Sequence, residues 1–258
     1  MGIVAEFKQI SPLMLDKFQR DSSLLDIFFS VKYLPESHFW EEAIYISGNS
    51  RLSIQKDSED KFKKFKWSDN QQREDTKAEF LREWQISELS LGKSWHELHF
   101  LLTGYTHTDK LPFLVSGNSL NNLPQVPLNN WSFFKLVHKI LNNQRHVEQY
   151  TIPTLDIDNL PLVNAILGGT EIGNKEGYGK HRYLTHDEVS QVAKALSELS
   201  ENGFITRYKQ EEIKQERVNI IDWSEPETVD YLTEYYKEIA VYYIEATNLG
   251  NAMLLYLT

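Results

Sequence analysis

The chain has 258 residues, enough for one large core or two small ones, and its lack of cysteine excludes disulfides, thiolate catalysis and cysteine-bound zinc. Its 41% hydrophobic and 25% charged residues are ordinary for a globular protein, and no apolar run approaches the roughly 18 residues of a membrane span. A formal net charge of −10 argues against a nucleic-acid backbone as partner, since that requires a clustered basic footprint.

From Met1 to Lys8 there is no basic segment leading into a long apolar stretch, and Glu6 stands where a myristoylation motif needs Ser or Thr. A cytoplasmic protein is therefore expected. Ile3 to Ile10 reads as a strand, and Ser11-Pro12 as a helix start, with Ser at the N-cap and Pro at the first helical position. Leu13, Leu15, Phe18, Leu24, Leu25, Phe28 and Phe29 carry the apolar pattern onward, with a break near Asp21-Ser22. The polar stretch 47–76 reads as a long loop or poorly packed insertion, and Ala78 to Leu89 as a short helix. Within that stretch, Lys61, Lys63, Lys64 and Lys66 form a basic group that Asp57, Glu59, Asp60 and Asp69 largely cancel, as on a solvated surface.

Residues 93–103 read as a helix stopped by Gly104. At about 100° per residue, Leu91, Trp95, Leu98 and Leu102 share one face, while His96, His99 and Thr103 share the adjacent flank. Phe113 to Val115 and Val163 to Leu167 read as short buried strands, separated by an Asn- and Pro-rich stretch, 118–130, and an amphipathic helix from Trp131 to about Leu141. Gly168 to Gly179 reads as a glycine-rich turn region. Thr185-His186-Asp187-Glu188 matches a capping box ahead of the helical spacing of Val189, Val192, Ala193, Leu196 and Leu199. Pro226 opens the last helix, Gly250-Asn251 ends it, and Met253 to Leu257 closes the chain as a strand. Strands and helices without regular alternation predict an α+β fold, a mixed sheet of short strands packed with several helices.

The Ser-Pro helix start, Trp95-His-Glu-Leu-His99 running into Leu101-Leu-Thr-Gly104, Gly168-Gly169, and Gly177-Tyr-Gly-Lys-His-Arg-Tyr-Leu-Thr185 together resemble the signature of the YfbM-like family, the bacterial domain-of-unknown-function family 1877. The likeness runs over residues 1–30, 90–104, 160–208 and 226–258. It implies a single YfbM-like α+β domain over residues 1–258, with insertions near 45–80 and 106–159. It implies no reaction.

The candidate chemistry is sparse. His96-Glu97-Leu98-His99 falls short of the His-Glu-x-x-His zinc motif, because Phe100 occupies the position of the second histidine. Two histidines at i, i+3 can face one metal ion with a third ligand such as His181 or His186, but a structural role is favoured and no metal or cofactor is expected. The glycine-rich segment satisfies neither the P-loop nor the dinucleotide fingerprint, and structural glycines are the favoured reading over an anion-binding loop. Ser94 lacks a nucleophile-elbow context. The reading that follows is a non-catalytic binding or interaction protein, of immunity type in its sharpest form, with a protein partner and neither nucleic acid nor membrane. The alternative is a small-molecule or anion-binding protein, hydrolytic in one version, with a site between the Trp95–Gly104 helix and the Gly168–Arg182 loop. Its residues would be His96, His99, Gly177, Tyr178, Gly179, His181 and Arg182.

Overall fold

The computed structural model describes residues 3–43, 45–103, 160–176, 179–208 and 226–258. The expected strand 113–115, the Asn- and Pro-rich stretch, the helix from Trp131 and the insertion near 106–159 lie outside them. Among the described residues, the elements in chain order are β1 (Ala5–Ile10), α1 (Pro12–Arg20), α2 (Ser23–Val31), α3 (Phe39–Glu42), α4 (Gly48–Lys64), α5 (Asn70–Trp84), β2 (Glu88–Ser90), a 3-10 turn at Gly92–Ser94, α6 (Trp95–Thr103), α7 (Leu160–Asn164), β3 (Thr170–Glu176), β4 (Gly179–Leu184), α8 (His186–Leu199), α9 (Glu201–Tyr208), α10 (Pro226–Leu249) and β5 (Ala252–Leu257). This is an α+β fold, as the sequence predicts. No helix among the described residues is long and apolar enough to cross a membrane.

The chain divides into two compact units: residues 1–92, 172–189 and 245–258 form one, and 93–171 and 190–244 the other. The first holds a five-stranded sheet in the order β2-β1-β5-β4-β3, with β1 antiparallel to β2 and β5, and β4 antiparallel to β5. Register places Glu6 opposite both Ser90 and Tyr256, Lys8 opposite Glu88 and Leu254, and Ile10 opposite Ala252. Because side chains alternate along a strand, these residues share one face. Ile10, Ala252 and Leu254 on that face belong to a core with Met14, Phe18, Leu25, Phe28 and Phe80, all fully buried. Phe28 anchors this core: it stacks on Trp84 at 4.7 Å and 18°, and meets Phe18 and Phe80 edge-on at 5.2 and 5.3 Å.

Local signals behave as expected at the ends of elements. The Ser11 Oγ accepts the Met14 N–H at 3.2 Å and donates to Glu83 at 2.6 Å, so the N-cap also ties α1 to α5. Gly250 takes φ +71° at the end of α10, where the Asn251 N–H returns to the Ala246 carbonyl at 2.9 Å.

Three expectations are corrected. The stretch 47–76 is not a loop but α4 and the first half of α5, and the helix expected over 78–89 is the second half of α5 followed by β2. The buried stripe of α4 is Gln55, Ser58 and Phe62, at helical spacing but two-thirds polar, so a hydrophobic pattern does not reveal it. The α5 start is capped by Asp69, whose carboxylate accepts the Gln72 N–H at 2.7 Å. The third correction concerns 163–167, expected as a strand: Leu160 to Asn164 is helical and 165–167 a turn. A short apolar run fits either element until its neighbours are known.

In the second unit, the Tyr236 hydroxyl donates to the Leu196 carbonyl at 2.7 Å, and its ring stacks on Phe204 at 4.5 Å. The fully buried Tyr243 donates to the Ala165 carbonyl at 3.0 Å. These two tyrosines lie about two turns apart on α10 and share its buried stripe with Leu232 and Ile239.

Candidate functional site

Within the first unit, the sheet face that is apolar at Ile10 becomes polar toward Glu6. There a cavity of about 420 Å³ is lined by Glu6, Phe29, Lys32, Tyr33, Lys180, His181 and Tyr256, with Gly179, Leu257 and Thr258 at its edge. That volume lies within the usual range of a small-molecule site, roughly 300–1,000 Å³. The sheet supplies Glu6, His181 and Tyr256; the end of α2 and the turn after it supply Phe29, Lys32 and Tyr33.

The aromatic walls are packed against one another. His181 stacks on Phe29 at 4.6 Å and 19°, and Tyr256 meets Phe29 edge-on at 4.7 Å. Lys32 donates to both carboxylate oxygens of Glu88, at 2.7 and 2.8 Å, and its ammonium sits 5.0 Å from the Trp84 ring centre and 5.4 Å from that of Phe39. The Tyr256 hydroxyl donates to the same Glu88 carboxylate at 2.8 Å. Glu88 is thus held by a bidentate ion pair and a phenol. Deeper on the same face, the fully buried Lys8 donates to the Ile86 carbonyl and lies 5.0 Å from the Trp84 ring centre.

Charge states follow from this arrangement. Burial, reinforced by the neighbouring Glu88 carboxylate, pushes Glu6 up to about 6, against the opposing pull of the Ser90 hydroxyl and Lys32. Burial lowers Lys8 to about 8, although Glu88 and Glu83 favour its charged form. Burial lowers His181, partly offset by Asp26, so its imidazole releases its proton more readily than a free histidine. Tyr33 is raised, chiefly by burial. Tyr256 is raised well above its ordinary value by burial and then by the Glu88 carboxylate, so it stays a hydrogen-bond donor.

Of the residues expected from sequence, Gly179 and His181 come together in this cavity. Arg182 follows His181 on β4, pairs with Leu255 and therefore alternates to the opposite sheet face. His99 belongs to the second unit, where it is fully buried on α6. The His96 side chain, Gly177 and Tyr178 lie outside the described residues. Among the described residues, no group of three histidine or carboxylate side chains assembles to hold a metal ion. Gly168 has a packing role: a Cβ there would stand 2.0 Å from Asn164 Oδ1, which itself accepts the Gly169 N–H at 3.1 Å.

Glu6, Phe29, Lys32, Tyr33 and Tyr256 escape motif reading because they belong to no motif. A usable signal was the charged pair Glu6-x-Lys8 in a strand whose neighbours include Ala5, Phe7 and Ile10, since ionisable groups at alternate strand positions share a face.

Comparison with known proteins yields a family match and a structural likeness. The family model described as "Domain of unknown function (DUF1877)" matches residues 1–131 and 134–256. A solved structure of a protein of unknown function, YfbM from Escherichia coli, is similar over 99% of both chains, at 12% sequence identity and a TM-score of 0.47. No curated protein matches the chain.

Proposed function

The chain belongs to the DUF1877 family, a domain of unknown function, and we propose that it is a binding protein with a small organic ligand in the cavity over Glu6, Phe29 and His181. The observation that carries this reading is the cavity itself, whose aromatic walls and convergent polar groups are the usual makings of a ligand site. Binding is favoured over catalysis because the strongest hydrogen-bonding groups are committed to each other. Lys32 and Tyr256 both serve Glu88, and His181 stacks flat on Phe29. The proposed compartment is the cytoplasm, with which a chain free of cysteine agrees.

A fragment screen followed by amide NMR tests the reading. Bound fragments should move the amides of Gly179, Lys180, Leu257 and Thr258 together. Shifts scattered over the surface, or confined to the second unit, would remove the cavity as the site.

A protein partner is the second reading, and the net charge of −10 favours a basic one through long-range steering. Such an association should weaken steeply between low and physiological salt, whereas occupancy of the cavity by a neutral fragment should not.

A further inference from the structure

The charges around the cavity are unevenly matched. Glu88 has Lys32 in bidentate contact, with Lys8 close by. Glu83 receives the Ser11 N–H at 2.9 Å and its hydroxyl at 2.6 Å. Glu6 is less well supported: Lys32 attracts it without touching it. Its Oε1 accepts one hydrogen bond from the Ser90 hydroxyl at 3.1 Å, and no described residue forms an ion pair with it. Lys32 also lines the cavity, and its ammonium is held on Glu88 with the Trp84, Phe39 and Tyr33 rings 5.0, 5.4 and 5.9 Å away.

Glu6 faces the same space as the rings of Phe29, Tyr33 and Tyr256. Aromatic faces attract cations electrostatically, and a carboxylate without a counter-ion does so more strongly. An anion entering this space would meet the carboxylate of Glu6 with that of Glu88 close by, although Lys180 also lines the cavity.

We propose that the cavity takes a small primary amine, its ammonium against the Glu6 carboxylate and its apolar body among Phe29, Tyr33 and Tyr256. This assignment rests on the cavity being the ligand site and adds the ligand's charge class to it. The ammonium supplies the ion pair that Glu6 lacks, and the carbon skeleton packs beside the rings that line the cavity.

The test compares three probes with one ring and different head groups: phenethylamine, phenethyl alcohol and phenylpropionate, each titrated into the intact protein near neutral pH. Amide shifts of Gly179, Lys180 and Leu257 locate the binding. The expected result is that the amine binds about tenfold more tightly than the alcohol, equivalent to about 1.4 kcal/mol, with the acid weakest. Glu6→Gln, which keeps the shape and the Ser90 hydrogen bond, should bring the amine and the alcohol to equal affinity. Equal affinities in the wild-type protein, or preference for the acid, would overturn the amine assignment while leaving the cavity as a site. If no probe moves those amides and a wider fragment set also leaves them still, both readings fall.

Discussion

Lys8 offers the sharpest check on the physical account of the polar sheet face. It is fully buried, yet its ammonium is held near the Ile86 carbonyl, Glu88 and Trp84, and burial lowers its pKa from 10.5 to about 8. Between those two values the unfolded chain binds a proton that the folded chain has released, so the wild-type protein gains stability as pH rises through this window. Lys8→Met keeps the volume and the unbranched shape while removing the titration. Converting the shift at about 1.4 kcal/mol per pH unit, the wild type should gain about 2 kcal/mol relative to the variant between about pH 7 and 9.5. Loss of the bond to the Ile86 carbonyl adds an offset that does not vary with pH, so the changing gap is diagnostic. Urea denaturation midpoints of both proteins, measured across that range, read the gap directly. Parallel curves would mean that Lys8 titrates as an exposed lysine, and the burial argument would be refuted.

Other outcomes follow from the same reasoning. Glu6 is raised from 4.5 to about 6, so the folded state holds its proton more tightly, and that contribution disappears as pH climbs through 6. Glu6→Gln should therefore become more stable than the wild type over that interval, by about 1 kcal/mol after discounting for its partial exposure, and a gap independent of pH would count against it. Glu97 is fully buried on α6, its pKa is raised by burial, and neither carboxylate oxygen has a hydrogen-bond partner among the described residues. Glu97→Gln should raise the thermal midpoint near neutral pH by removing the buried charge, with the benefit vanishing in acid as Glu97 itself becomes protonated. Thr185→Ala should cost about 1 kcal/mol in chemical denaturation, because it removes both the side-chain acceptor for the Glu188 N–H and a donor to the Glu188 carboxylate. Phe28→Ala should be more damaging, about 3–5 kcal/mol, since the ring meets Phe18, Phe29, Phe80 and Trp84 at once.

The element ends were legible because capping is local chemistry. At the capping box, the Glu188 carboxylate accepts the Thr185 N–H at 2.8 Å and the Thr185 hydroxyl at 2.9 Å, all within four residues. Ser11-Pro12 and Gly250-Asn251 are equally short signals. Helix α4 was hidden because Gln55 and Ser58 are buried where a pattern reader looks for Leu or Ile. The run 163–167 reads as a strand because every residue in it except Asn164 is a buried hydrophobe, and that composition suits a strand as well as a turn of helix.

For the site, the chain alone pointed to His181 and Gly179 through the glycine-rich segment, and to Arg182, which strand alternation turns away. The remaining lining residues depend on pairings that no sequence window contains. The Glu88 carboxylate meets Lys32 across 56 positions and Tyr256 across 168. Caps mark where several elements begin and end, because those signals are settled within a turn of backbone. Whether Glu88 or Glu6 has a counter-ion is decided only when β1, β2 and β5 take their register and α2 closes over them. A carboxylate's state is set by its three-dimensional neighbours and by its distance from water, and both arise from tertiary packing.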